Sequence, residues 1–130
     1  MPKRLVLIED SKLQATRIQQ ELLDYGFQVE LAHTGAVGVA RVHDVRPAAI
    51  ILDVALPDTD GYTLCQQFKA DAELGSIPIV ILTSRDEREA TTEGLNVGAD
   101  AYIAKDRAAV ENVVAALSQF GINADFDPDA

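Results

Sequence analysis

Five side chains in this sequence could do chemistry together: Glu9 and Asp10, Asp53, Thr83 and Lys105. They stand directly after short apolar runs, Leu5-Val6-Leu7-Ile8, Ala48-Ala49-Ile50-Ile51-Leu52, Ile79-Val80-Ile81-Leu82 and Ala101-Tyr102-Ile103-Ala104. Carboxylates brought within a few ångströms of one another repel, and the cluster is costly unless protons or a cation compensate it. Oxygen donors without His or Cys select a hard ion, usually Mg²⁺, which keeps several waters and leaves positions for phosphate oxygens. A hydroxyl such as Thr83 and an ammonium such as Lys105 complete a site for phosphoryl oxygens. Asp53 would then be the nucleophile, forming an aspartyl-phosphate. Each residue alone also has an ordinary structural explanation: Asp53 as a turn residue, Glu9-Asp10 as a helix N-terminal pair, Thr83 as part of a cap, Lys105 as an edge lysine.

The chemistry therefore depends on whether the apolar runs are neighbouring strands. Arg4–Ile8, Gln28–Ala32, Ala48–Asp53, Ile77–Leu82 and Ala101–Ala104 read as five strands. The first, third and fourth are continuously apolar, as expected of strands buried on both faces, whereas Gln28–Ala32 alternates and has a wetter face. Helices are expected from Lys12 to Tyr25 behind the N-cap Ser11, from Thr34 to Val45, from Tyr62 to Ala72, from Asp86 to Asn96 and from Arg107 to Phe120. The fourth is rich in charge and Thr and should be the least well anchored. Alternating βα units imply a doubly wound five-stranded parallel sheet with right-handed crossovers. The apolar strands belong in the middle, giving the order 2-1-3-4-5, and ligands sit at the carboxyl ends of such strands. That edge carries Asp53 and, by adjacency, Glu9 and Asp10.

The 130 residues make one domain, expected to span 1–121, with an acidic, frayed tail over 122–130. A net charge of −10 argues against nucleic acid or anionic membrane as a partner. No apolar run is long enough to span a bilayer and no signal peptide is visible. The single Cys65 fits a reducing, cytoplasmic setting and reads as a packed thiol on an apolar helix face. His33 and His43, weighed as phosphorelay histidines, read as surface residues.

Ile8-Glu9-Asp10-Ser11, Leu52-Asp53-Val54-Ala55-Leu56-Pro57 with Gly61, Leu82-Thr83-Ser84 and Gly98-Ala99-Asp100-Ala101-Tyr102-Ile103-Ala104-Lys105 form an ordered set spanning most of the chain. This set resembles the receiver domains of two-component response regulators, whose fold is of the flavodoxin and CheY kind. The resemblance implies that Asp53 accepts a phosphoryl group from a sensor histidine kinase or phosphotransfer protein. It implies that Asp10, Asp53 and the Ala55 backbone carbonyl ligate Mg²⁺ directly, and that Glu9 acts through water. Thr83 and Lys105 would bind the phosphoryl group, and Thr83 with Tyr102 would form a switch. The switch would alter binding of a downstream protein through the fourth helix, fifth strand and fifth helix. Such a domain is no enzyme beyond catalysing its own phosphorylation and dephosphorylation.

Departures accompany the match. The family usually has Pro after the lysine, and here Asp106 stands there; Leu56 replaces a common Met; Ala55 and Arg85 occupy positions that tune phosphoryl lifetime. A cis bond before a non-proline residue costs about 3–4 kcal/mol, so a trans Lys105–Asp106 bond is expected, with Asp106 capping the last helix through the Ala108 or Ala109 amide. Other classes fit less well. A phosphohydrolase of the haloacid dehalogenase type needs a second Asp two residues after the nucleophile, where Ala55 stands. A flavin module needs a phosphate-binding loop after the first strand, where Glu9-Asp10 would repel it. A degenerate receiver would not keep Asp10, Asp53, Thr83 and Lys105. A stand-alone relay or diffusible switch is expected, the alternative being a module of a longer hybrid kinase or regulator.

Overall fold

The computed structural model describes residues 3–84 and 98–124. The chain runs β1 (Arg4–Ile8), α1 (Lys12–Asp24), β2 (Gln28–Ala32), α2 (Gly35–Val45), β3 (Ala49–Asp53), α3 (Gly61–Ala70), β4 (Ile79–Thr83), β5 (Ala101–Ala104) and α4 (Ala109–Gln119). The helix expected over Asp86–Asn96 and the end of the tail lie outside the described residues. All strands pair in parallel, in the order β2-β1-β3-β4-β5. Strands β3 and β4 are buried at every position, and the edge strands β2 and β5 are only partly covered.

Successive residues of a strand face opposite sides of the sheet, so each strand feeds two cores. Leu5, Leu7, Ile51, Leu82 and Ile103 pack under Ile18 and Leu22 of α1 and Val113 and Leu117 of α4. Val6, Ile8, Ile50, Ile81 and Ile79 pack on the other side with Val42 of α2 and Leu64, Cys65 and Phe68 of α3. The Cys65 thiol is fully buried there, and burial pushes its pKa up to about 11, which makes it a packing group.

Helix ends follow local chemistry. Ser11, Thr34 and Asp60 accept the amides of Gln14, Val37 and Thr63, capping α1, α2 and α3. Strand β4 begins at Ile79, two residues later than the apolar run suggests, because Pro78 has no N–H to donate. The tail is anchored at its start: Ile122 is buried and its amide donates to the Leu117 carbonyl at 2.8 Å.

Strand β4 is held by a side chain at its entry. Asp100 Oδ2 accepts the Ile79 amide at 2.8 Å and the Lys69 ammonium at 2.8 Å, and Lys69 also donates to the Ile77 carbonyl at 3.1 Å. Ile79 is fully buried, so without Asp100 its N–H would have no water to turn to. Asp100→Ala should therefore lower unfolding free energy by about 1–3 kcal/mol in urea titration. A loss below about 0.5 kcal/mol, the level of an ordinary surface substitution, would show that the strand entry finds another partner.

Candidate functional site

The carboxyl ends of the strands assemble the site through sheet register. Ile8 pairs with Leu52, Asp53 with Leu82, and Thr83 with Ala104. Glu9 and Lys105 are the next residues out on β1 and β5, so the four polar side chains share one edge. The Lys105 amide donates to the Thr83 carbonyl at 2.8 Å, carrying the β4–β5 pairing one residue beyond the strand.

Alternation divides this group in two. Glu9, Asp53 and Lys105 fall in step with Leu7, Ile51 and Ile103 and emerge toward the α1–α4 side. There the Lys105 ammonium lies 2.8 Å from Asp53 Oδ2 and 3.1 Å from Glu9 Oε1. It also reaches Gln14 Oε1 at 3.4 Å. Thr83 falls in step with Ile79 and Ile81 on the other side, as does Tyr102, which packs against that core. The Thr83 hydroxyl donates to the Ser84 carbonyl at 3.3 Å.

Burial sets the electrostatics. Glu9, Asp53 and Thr83 are 1%, 6% and 5% exposed. Desolvation of Glu9, with Asp53 beside it, raises the Glu9 pKa to about 8 against the opposing pull of Lys105. Desolvation acts against charge on Lys105, yet its bonds to Asp53 and Glu9 outweigh that and raise its pKa. The cluster holds two carboxylates with one cation and favours any further positive charge.

The loop after Asp53 is tightly folded. Asp53 Oδ1 accepts the Ala55 amide at 3.3 Å, Ala55 and Asp60 form an antiparallel bridge, and the Gly61 amide donates to the Val54 carbonyl at 2.7 Å. A Cβ on Gly61 would stand 2.6 Å from the Asp53 carbonyl oxygen, so the glycine supplies space where the backbone closes on itself.

The structure brings together Glu9, Asp53 and Lys105, with Thr83 at the neighbouring strand end, but it does not close Asp10 onto them. Asp10 is exposed, and among the described residues no three His, Cys, Asp or Glu side chains converge to enclose a metal. Lys105 stands between Glu9 and Asp53 and supplies positive charge there. The donor set still fits Mg²⁺ in kind, being all oxygen, with two carboxylates at the edge and an ammonium standing where positive charge is favoured.

The Lys105–Asp106 bond is trans. Asp106 Oδ1 accepts the Ala108 amide at 2.9 Å, as expected, but α4 starts only at Ala109, so Asp106 makes a turn before the helix and is not its N-cap. His43 is exposed and lies 3.7 Å from Asp71. His33 is not a plain surface residue: it is half-buried, and its Nδ1 lies 2.9 Å from the Glu9 carbonyl oxygen. No sequence signal marks that contact, since the two residues are 24 positions apart.

A doubly wound parallel sheet with a carboxylate–lysine pair at its carboxyl edge defines a flavodoxin-like domain of the CheY kind. The chain belongs to the response regulator receiver domain family, whose model matches residues 5–118. It is 33% identical over 105 residues to the response regulator MprA of Mycobacterium sp. (strain KMS), covering 81% of this chain and 45% of that protein. The chain thus spans about half the length of the curated relatives it matches. It is similar to the signal receiver domain of a signal transduction histidine kinase from Syntrophus aciditrophicus, at 30% identity and TM-score 0.82, over 92% of this chain and 90% of that one. It is also similar to the chemotaxis response regulator CheY4 of Vibrio cholerae, at 25% identity and TM-score 0.81, over 92% and 98% of the two chains.

The raised Glu9 pKa has a consequence for the metal-free protein. The unfolded chain releases this proton near the ordinary glutamate value of 4.5, while the fold holds it to about 8. The folded state then binds more protons across that window, so Glu9 makes stability fall as pH rises through it. In EDTA, Glu9→Gln should flatten the decline in urea midpoint between these limits. An identical slope in wild type and variant would show that Glu9 titrates alike in both states.

Proposed function

We propose that this domain accepts a phosphoryl group on Asp53 in a Mg²⁺-dependent step and thereby changes its affinity for a downstream protein. The observation that carries the reading is the nearly buried Asp53 carboxylate, 6% exposed, ion-paired to Lys105 at 2.8 Å at the strand edge where Thr83 also ends. The family relationship supports a sensor histidine kinase or phosphotransfer protein as donor. An Asp53 carboxylate oxygen would attack phosphorus, the P–N bond of the donor's phosphohistidine would break, and its electron pair would stay on the imidazole nitrogen. Lys105 and Thr83 would take the phosphoryl oxygens, limiting the charge that builds there. Asp10, Asp53 and the Ala55 carbonyl, with Glu9 through water, are the groups that would hold Mg²⁺, and the ion when bound would neutralise phosphoryl charge.

A cleft of about 290 Å³ between α1 and α4 runs past Lys105, bordered by Gln14, Arg17, Ile18 and Val110. Beyond its own phosphorylation and dephosphorylation the domain would catalyse nothing, and its setting would be cytoplasmic. Among the described residues no helix is long and apolar enough to cross a membrane.

Output would start from Thr83. Its hydroxyl would turn toward the new phosphoryl oxygens, and Tyr102, on the same side of the sheet, would follow into the space left. The Tyr102 hydroxyl is buried without a hydrogen-bond partner among the described residues, and burial raises its pKa to about 12.

Acetyl phosphate with Mg²⁺ should add one acid-labile phosphate by mass spectrometry, and Asp53→Asn should abolish it; labelling that survives would put the acceptor elsewhere. Asp10→Asn should weaken Mg²⁺ binding more than Glu9→Gln, because a direct ligand contributes more than one acting through water. Equal effects would reverse those roles.

Beryllofluoride, which mimics the phosphoryl group, should alter amide exchange at Tyr102, in β5 and along α4, the described parts of the expected output face. Changes confined to α1 and α2 would place the partner surface away from β5.

A further inference from the structure

The two loops that carry the acidic groups, one after β1 and one after β3, meet at Lys105, which bonds both Glu9 and Asp53. Both are bonded to a third segment, the turn from β2 into α2. The His33 ring reaches the Glu9 carbonyl oxygen at 2.9 Å, and because a carbonyl only accepts, Nδ1 carries the proton. The Glu9 amide in turn donates to the Ala32 carbonyl at 2.9 Å, so both backbone groups of Glu9 are held by consecutive residues of this turn. On the other side Asp58 accepts two amides with one carboxylate, Gly35 N–H to Oδ1 at 2.7 Å and Ala36 N–H to Oδ2 at 3.0 Å.

From this arrangement we infer that residues 33–36 are a brace that sets the spacing of the two acidic loops, with Asp58 and His33 as positioning residues for the Mg²⁺ ligands. The inference rests on the function proposed above. A further feature shows that the contact is built for close approach. A Cβ on Gly35 would stand 2.6 Å from Thr59 Cγ2 and 3.2 Å from Asp58 Oδ1, so the loop lies close against the helix and a side chain there would push Thr59 and Asp58 aside. The Gly35 and Ala36 amides also lower the Asp58 pKa, keeping the carboxylate ionised and bonded.

Asp58 touches neither phosphate nor metal in this role. It fixes the path of Val54–Asp60, and with it the Ala55 carbonyl, relative to a helix whose start is tied to Glu9. Groups that orient metal ligands from outside the coordination shell typically change metal affinity by about 10- to 100-fold when removed. Because Asp58 acts on the Ala55 carbonyl only through the intervening loop, this brace falls near the lower figure.

The test is Mg²⁺ affinity of the full chain by calorimetry, with phosphate uptake from acetyl phosphate measured in parallel. Asp58→Ala should weaken Mg²⁺ about 10-fold. Asp58→Asn should fall between, since its single carbonyl oxygen replaces one acceptor of two. His33→Ala and Gly35→Ala should weaken binding in the same direction from the other two contacts. Phosphate uptake by Asp58→Ala should recover to the wild-type maximum at saturating Mg²⁺, a change in the concentration required and not in the limiting rate.

Asp100→Ala is the control, because it removes the buried hydrogen bond at the entry of β4 without touching residues 33–36 or either acidic loop. Unchanged affinity in Asp58→Ala, or an equal loss in Asp100→Ala, would overturn the brace. The two readings fail separately: a wild-type chain that binds Mg²⁺ but takes no phosphate on Asp53 overturns the proposed function, while the affinity series still decides the brace.

Discussion

The structure depends on placing two carboxylates in a nearly dry sheet edge with one lysine between them. Glu9 and Asp53 are 1% and 6% exposed, and Lys105 Nζ stands 3.1 and 2.8 Å from them. Removing a charge from water costs several kcal/mol, and an ion pair recovers that only with good geometry and further hydrogen bonds. Here one cation serves two anions, so the compensation is incomplete, and the proton affinity of Glu9 rises as a result. An edge under-supplied with positive charge is unfavourable for stability alone. It is well suited to receive a dication or an ion that brings its own countercharge, which is the physical ground for reading it as functional.

Parallel register and two-residue alternation do most of the positioning. Strand ends brought level by the pairings of Ile8 with Leu52 and Thr83 with Ala104 leave the next residues at one height. Alternation then sends Glu9, Asp53 and Lys105 to the α1–α4 side and Thr83 with Tyr102 to the other. The ion cluster and the proposed switch pair thus sit on opposite faces of a sheet only one residue thick. A change in what Thr83 bonds can be felt on the far face without any movement of the ion cluster's own side.

Much of this was legible in the chain because it follows from apolar runs and what ends them. Leu5–Ile8, Ile50–Leu52 and Ile79–Leu82 could be buried only as central strands, which placed Asp53 and its neighbours before any coordinates. The bridging of Glu9 and Asp53 by one lysine was not legible, because neighbouring strand ends fix where a backbone goes but not which side chains pair across them. Lys105 pairs with Glu9 and Asp53 across three strands, a contact that no apolar run announces. Asp58 and His33 were hidden for a different reason. Asp58 reads as one more turn former in Pro57-Asp58-Thr59-Asp60-Gly61, and its partners are 22 and 23 residues away. The start of α4 was misplaced because Asp106 bonds the Ala108 amide in a turn that can precede a helix as readily as begin one.

Lys105 is the group whose surroundings would change most if Asp53 were phosphorylated. An ammonium has three N–H donors. In the structure they face Asp53 Oδ2, both oxygens of Glu9 at 3.1 and 3.3 Å, and Gln14 at 3.4 Å. Four acceptors already compete for three protons, so a phosphoryl oxygen can be served only by releasing one of them. The longest contact, to neutral Gln14, is the least costly to give up. Releasing Glu9 is harder, because it would leave a buried carboxylate to be neutralised by a proton or a metal ion. Proton, metal and phosphoryl group are therefore coupled through one lysine, and that coupling follows from burial and from the number of hydrogens on its nitrogen.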